Sequence, residues 1–192
     1  VAIAPNKKTI YVVNENGDAT STGGGAVSSF AFNKLTGSLK QTSTQPSGGA
    51  HPCYVNVSNN GKWLFAGNYS SGTFSEFPLS ANGTIGVAIN NIRHFGSGAN
   101  KDRQSAPHVH GTFLTKDNKF LLVPDLGIDK IMLYDFNAAT GLLKEAKNPY
   151  IAFPGGSGPR HISFHPSQKY LYAIEEITGS VAAFRFNAST GK

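Results

Sequence analysis

The stretch SAPHVHGTF, residues 105–113, sets His108 and His110 two positions apart ahead of an apolar run. Side chains alternate across an extended chain, so such a pair shares one face. Two histidines on one face can ligate a metal if a third ligand stands nearby, and His51 and Glu176 are the candidates for that place. They can equally present polar groups to a cleft. Arg160 in GPRHISFHP and Glu176 directly after YLYAIE add a fixed cation and a carboxylate. These residue types supply a potential proton acceptor and a fixed positive charge.

The elements that position these residues are repeats. NKKTIYVVN (6–14), NGKWLFAGN (60–68), DNKFLLVPD (117–125) and SQKYLYAIE (167–175) align on Lys8, Lys62, Lys119 and Lys169, spaced 54, 57 and 50 residues apart. Each has a polar turn, a lysine, a short apolar strand and then a polar residue. A second run follows every time (AVSSFAF, TFSEFPL, KIMLYDF, SVAAFRF), then a turn carrying glycine, and a further short strand precedes the lysine (VAIA, CYVNVS, HGTFLT, RHISFH). Four short strands per unit, without a helix, at this period predict an all-β fold built as a β-propeller of four-stranded blades. The repeats fall near 1–50, 51–107, 108–159 and 160–192. They are expected to form one partial propeller domain over 1–192, with blades missing at both its N- and C-terminal ends, because the first and last repeats are incomplete and a closed ring takes about 4–8 whole blades. The Gly-rich insertion between Asn16 and Gly25 reads as a loop and not as a phosphate cradle, since no helix pattern follows it.

Within a blade the start of the first strand and the end of the second share one rim. His51, His108 and Gly158 are equivalent there, 11 residues before their lysines; Cys53, His110 and Arg160 are equivalent at nine before. Glu15, Tyr69, Leu126 and Glu176 are equivalent just after the second strand. Chemistry varies at these positions while the framework repeats, as expected of a site grafted on a scaffold.

Composition limits the alternatives. The chain has 39% hydrophobic and only 15% charged residues, with 17 Lys and Arg against 11 Asp and Glu. This scattered net charge of +6 suits small anionic substrates, and neither a nucleic-acid nor a membrane partner is expected. Oligomeric state stays open. Cys53 is the only cysteine, which excludes an internal disulfide and cysteine-cluster metal sites and is compatible with a cytoplasmic location. Asn56, Asn68, Asn82 and Asn187 head Asn-x-Ser/Thr triplets, which read as Asn- and Ser-rich turns.

The segments APHVH, VPDLG, GPRHISFHP and the Glu after YAIE resemble the lactonase-type seven-bladed propellers, which include bacterial 6-phosphogluconolactonases and fungal carboxy-cis,cis-muconate lactonizing enzymes. The likeness runs over nearly the whole chain and implies that it supplies roughly half of a seven-bladed ring. It further implies His108, Arg160 and Glu176 as catalytic residues; the repeat comparison adds His51, His110, Glu15 and Tyr69 as substrate-binding candidates on the same rim. No metal and no cofactor is implied. A further arginine that the family draws from a later blade has no counterpart here, so the isolated fragment is expected to be inactive. The implied activity is hydrolysis of a sugar lactone such as 6-phosphogluconolactone. Muconate lactonisation is the enzymatic alternative. A non-catalytic propeller is the alternative of another class, since YVVN at 11–14 is similar to the YVTN-type repeat of binding propellers.

Overall fold

The computed structural model describes residues 1–17 and 24–191, so the part of the Gly-rich insertion at 18–23 lies outside the described residues. Four antiparallel sheets follow one another along the chain. The first holds β1 (Ala2–Ile3), β2 (Thr9–Asn14), β3 (Ala26–Phe32) and β4 (Leu39–Pro46); the second holds β5 (Pro52–Val57), β6 (Trp63–Asn68), β7 (Thr73–Pro78) and β8 (Asn90–Arg93). The third holds β9 (Phe113–Leu114), β10 (Phe120–Asp125), β11 (Lys130–Asn137) and β12 (Leu142–Ala152); the fourth has three strands, β13 (Pro159–Phe164), β14 (Tyr170–Glu175) and β15 (Ser180–Arg185). Each strand pairs with its sequence neighbour, the meander of a propeller blade. The only helical element among the described residues is a 3₁₀ turn at Leu126–Ile128. No helix among them is long and apolar enough to cross a membrane.

The second strands explain how the blades stack. On β10, Leu121 and Val123 join a core with Phe65 and Phe74 of the second blade, while Phe120 and Leu122 join one with Ile162 and Leu171 of the fourth. On β6, Leu64 and Ala66 face Tyr11 and Val27 of the first blade. Period-two alternation thus fills two inter-blade cores from a strand that is apolar on both faces. Each fully buried Leu or Phe here contributes about 1.5–3 kcal/mol. The outward face of the fourth blade is open: Tyr170, Tyr172 and Ile174 are exposed between buried Leu171 and Ala173.

The first strand of the third blade is shorter than the pattern HGTFLT predicts. Only Phe113 and Leu114 pair with β10, besides an isolated bridge between Val109 and Asp125. Pro124 is the reason. Its carbonyl faces the first strand and accepts the His110 N–H at 3.0 Å, so its missing N–H would also have faced that strand. The ladder opens between the bridge and Phe113.

Candidate active site

The predicted rim is a real frame. The residue after the second strand donates its N–H to the carbonyl at the entry of the first strand in three successive blades: Tyr69 to His51 at 2.9 Å, Leu126 to His108 at 3.0 Å, and Glu176 to Gly158 at 2.8 Å. Gly158 has φ +66° and His51 has φ +52°, so the histidine holds a left-handed backbone where its counterpart is glycine. The next positions are bulged. Pro52 pairs with Asn68 but Tyr54 with Gly67, leaving Cys53 as the extra residue; Pro159 pairs with Glu175 but His161 with Ile174, leaving Arg160. His110 follows the Val109–Asp125 bridge in the same place. A bulge re-aims its extra side chain, and here it does so at equivalent points of three blades.

A buried network fixes the loop that carries His108. Asp125 Oδ1 accepts the N–H groups of His108 at 2.7 Å and Gly127 at 3.0 Å, while its Oδ2 lies 2.7 Å from His94 Nδ1. His94 Nε2 in turn lies 3.0 Å from the Tyr134 hydroxyl. Gly127 leaves no room for a side chain, since a Cβ there would sit 1.9 Å from the Ala106 carbonyl oxygen and 2.7 Å from His108 N. Gly127→Ala is therefore expected to cost about 1–3 kcal/mol. That is a fall in Tm of several degrees, readable by calorimetry.

Arg160, Glu176 and His110 come together. Arg160 Nε lies 2.7 Å from Glu176 Oε2 and donates to His110 Nε2 at 3.0 Å. Arg103 donates to the other carboxylate oxygen, Glu176 Oε1. Burial pulls the Glu176 carboxyl upward, but the Arg103 hydrogen bond and the charges of Arg103 and Arg160 outweigh it and hold the group below its ordinary value of 4.5. Burial pushes His110 down to about 4, with the Arg160 and His161 charges acting in the same direction. His110 is therefore neutral at pH 7, and its 3.9 Å approach to Glu176 Oε2 is not an ion pair there. Since Nε2 accepts from Arg160, the ring proton sits on Nδ1, which faces Cys53 Sγ at 3.7 Å. Burial raises the Cys53 thiol to about 12, which keeps it protonated.

His108 occupies a different place. Its ring stacks on Tyr69, centroids 4.4 Å apart and planes 11° apart, with Nδ1 3.2 Å from the Tyr69 carbonyl oxygen. Tyr69 also meets His110 edge-on at 5.4 Å and so joins the two histidines. His51 has its Nδ1 buried without a partner. Glu15 is exposed at the end of β2, and its charge reaches the Cys53 thiol. Among the described residues no three His, Cys, Asp or Glu side chains are disposed to hold a metal, and the His110 nitrogens already face Arg160 and Cys53.

The family model described as lactonase, seven-bladed β-propeller, matches residues 1–192. The chain belongs to that family. Similar members of the lactonase family include the 6-phosphogluconolactonase of Bacillus subtilis, 34% identical over 192 residues, all of this chain and 52% of the relative. The 6-phosphogluconolactonase of Formosa agariphila is 32% identical over 183 residues, 95% of this chain and 51% of the relative. Among solved structures, the periplasmic gluconolactonase of Pseudomonas aeruginosa superposes on the whole chain and 54% of its own with a TM-score of 0.91 at 31% identity. The chain spans about half the length of the curated relatives it matches.

Sequence reasoning did not find Arg103 or His94 in this lactonase-family rim. Both lie outside the repeated positions, on the connection 94–112 between β8 and β9. The length of that connection against its counterparts 47–51 and 153–158 was the available signal.

Proposed function

We propose that this chain is one domain-sized part, residues 1–192, of a seven-bladed lactone hydrolase, and that the rim cluster of Arg160, Glu176 and His110 opens a sugar lactone such as 6-phosphogluconolactone. The observation that carries the reading is the meeting of an ionised carboxylate, a guanidinium and a neutral imidazole at one mouth of the propeller. The exposed Tyr170, Tyr172 and Ile174 face of the fourth blade agrees with a further blade in the ring.

In the proposed step Glu176 takes a proton from water as the water oxygen bonds to the lactone carbonyl carbon. Arg160 N–H groups stabilise the oxyanion, and the ring C–O bond then breaks with its oxygen leaving as a hydroxyl after taking a proton back. His110 holds the Arg160 fork in place through Nε2. His108 and Tyr69 form a flat stacked wall beside the reacting group, and His51 and Glu15 extend the same rim. The step is redox-neutral and uses only water and these side chains. The partner is a small anionic lactone, supported by the local guanidinium excess, with neither nucleic acid nor membrane involved. A cytoplasmic location is part of this reading; the periplasmic one in the name of the Pseudomonas neighbour is the alternative, and cell fractionation decides between them.

The test is the titrant demanded at constant pH by the seven-bladed protein that carries this chain, base for lactone opening and acid for muconate lactonisation, when it is offered 6-phosphogluconolactone, unphosphorylated glucono-δ-lactone and a carboxy-cis,cis-muconate. Turnover of a δ-lactone is the expected result. Turnover of the muconate alone, or of none of the three, would overturn the reading.

A further inference from the structure

Glu176 is held from a second side by a residue outside the machinery above. Arg103 sits on the connection 94–112, where its neighbour Gln104 is fully buried and acts as the anchor. Gln104 Nε2 donates to the Leu126 carbonyl at 2.8 Å and to Asp129 Oδ1 at 2.6 Å, and its Oε1 accepts the Asn100 N–H at 2.8 Å. Asn100 Oδ1 accepts the Arg103 N–H at 3.1 Å. Asp129 also takes the N–H groups of Gly156 and Gly158, each at 2.8 Å, which ties this turn to the entry of the strand that carries Arg160. Arg103 is thus presented from a braced turn, while its side chain is 46% exposed.

Two guanidiniums share one carboxylate, and His110 beside them is neutral. At Glu176 itself two guanidiniums therefore face one carboxylate, while the other rim carboxylate, Glu15, acts on the Cys53 side. The Arg103 side chain donates to Glu176, against five N–H donors that a guanidinium carries. A phosphate monoester brings close to two negative charges and three acceptor oxygens, so it competes successfully with a single carboxylate for a guanidinium. A carboxylate substituent would merely match what Glu176 already offers.

We propose that Arg103 is a specificity residue of this rim, binding a phosphate carried by the lactone away from its reacting ester and releasing Glu176 Oε1 as it does so. This rests on the lactone-hydrolase reading. A neutral lactone leaves Arg103 on Glu176, and a phosphorylated one frees the carboxylate oxygen beside the reacting ester.

The experiment compares wild type, Arg103→Gln and Arg103→Lys on glucono-δ-lactone and its 6-phosphate. In parallel, calorimetry measures binding of the ring-opened acids, gluconate and 6-phosphogluconate. Wild type is expected to prefer the phosphorylated compound in both assays. The ratio of kcat/KM values should fall on the order of 10- to 100-fold in Arg103→Gln and recover in part in Arg103→Lys, carried mainly by KM. If Arg103→Gln slows both lactones alike and leaves the ratio unchanged, Arg103 only braces Glu176 and the proposal is overturned while the hydrolase reading stands. If neither lactone is opened but an Arg103-dependent preference for 6-phosphogluconate persists, the phosphate site stands and the hydrolase reading falls. Equal binding of the two acids by wild type overturns the phosphate site.

Discussion

Glu176→Gln is expected to lower kcat/KM for δ-lactone opening by on the order of 100- to 10,000-fold, the usual contribution of a positioned base. Glutamine keeps the shape but offers one acceptor oxygen where Arg103 and Arg160 each hold their own, so the loss reports the missing charge, the missing proton acceptor and one lost arginine contact. The pH profile carries the same information. Although burial opposes ionisation, hydrogen bonding and charge from the two arginines hold the Glu176 pKa below 4.5. The base is ionised above that pKa, so activity is present at neutral pH and is lost only as pH falls through a limb below the ordinary glutamate range. His110, at about 4, titrates in the same acidic region and adds no limb near pH 6.5. Rates measured from pH 4 to 8 should therefore stay level over most of the range. An acid limb near 6.5, or a loss below five-fold in Glu176→Gln, would contradict the assignment of the base.

The second large effect concerns stability, far from the rim. Glu76 on β7 is fully buried, with Oε2 accepting from Asn90 Nδ2 at 2.7 Å and Oε1 without a partner. Burial raises its pKa to about 7, against the smaller lowering effect of the Asn90 hydrogen bond. The sign follows from comparing the two states. Below about pH 4 both folded and unfolded chains hold the proton and the group is neutral toward stability. Between about pH 4.5 and 7 only the folded chain holds it, so stability falls as pH rises, and above 7 the full cost of the buried charge remains. Glu76→Gln removes that cost and is expected to stabilise the protein by about 3 kcal/mol at pH 8 and by almost nothing at pH 4. Denaturant titrations of both proteins at the two pH values check it; an equal difference at both would show that packing, and not charge, sets the effect.

The blade framework was legible because two signals coincide in it. Apolar runs such as FLLVPD fill cores on both faces, and polar turns with glycine recur at fixed offsets from Lys62, Lys119 and Lys169. The exception is local: Pro124 removes a donor from the ladder and shortens the first strand of the third blade, which its hydrophobic pattern alone does not reveal. At the rim, comparing repeats singled out Arg160 and Glu176, and the structure brings the two within 2.7 Å. The histidines were harder to read, because strict alternation puts His108 and His110 on one face. The bulge interrupts that alternation, turning His110 onto Arg160 and leaving His108 stacked on Tyr69. Arg103 has no repeat to be compared with. It reaches Glu176, 73 residues away in sequence, only because Gln104 pins its turn under the rim.

The central claim is that lactone chemistry takes place on the rim where Arg160, Glu176 and His110 meet. A crystal structure of the seven-bladed protein with the ring-opened acid bound tests it most directly. The account predicts the new carboxylate within hydrogen-bond distance of Arg160, beside Glu176. Acid bound instead in the opposite-rim cavity of about 520 Å³, lined by Tyr11, Lys62, Trp63 and Leu79, with the Arg160 rim empty, would contradict it.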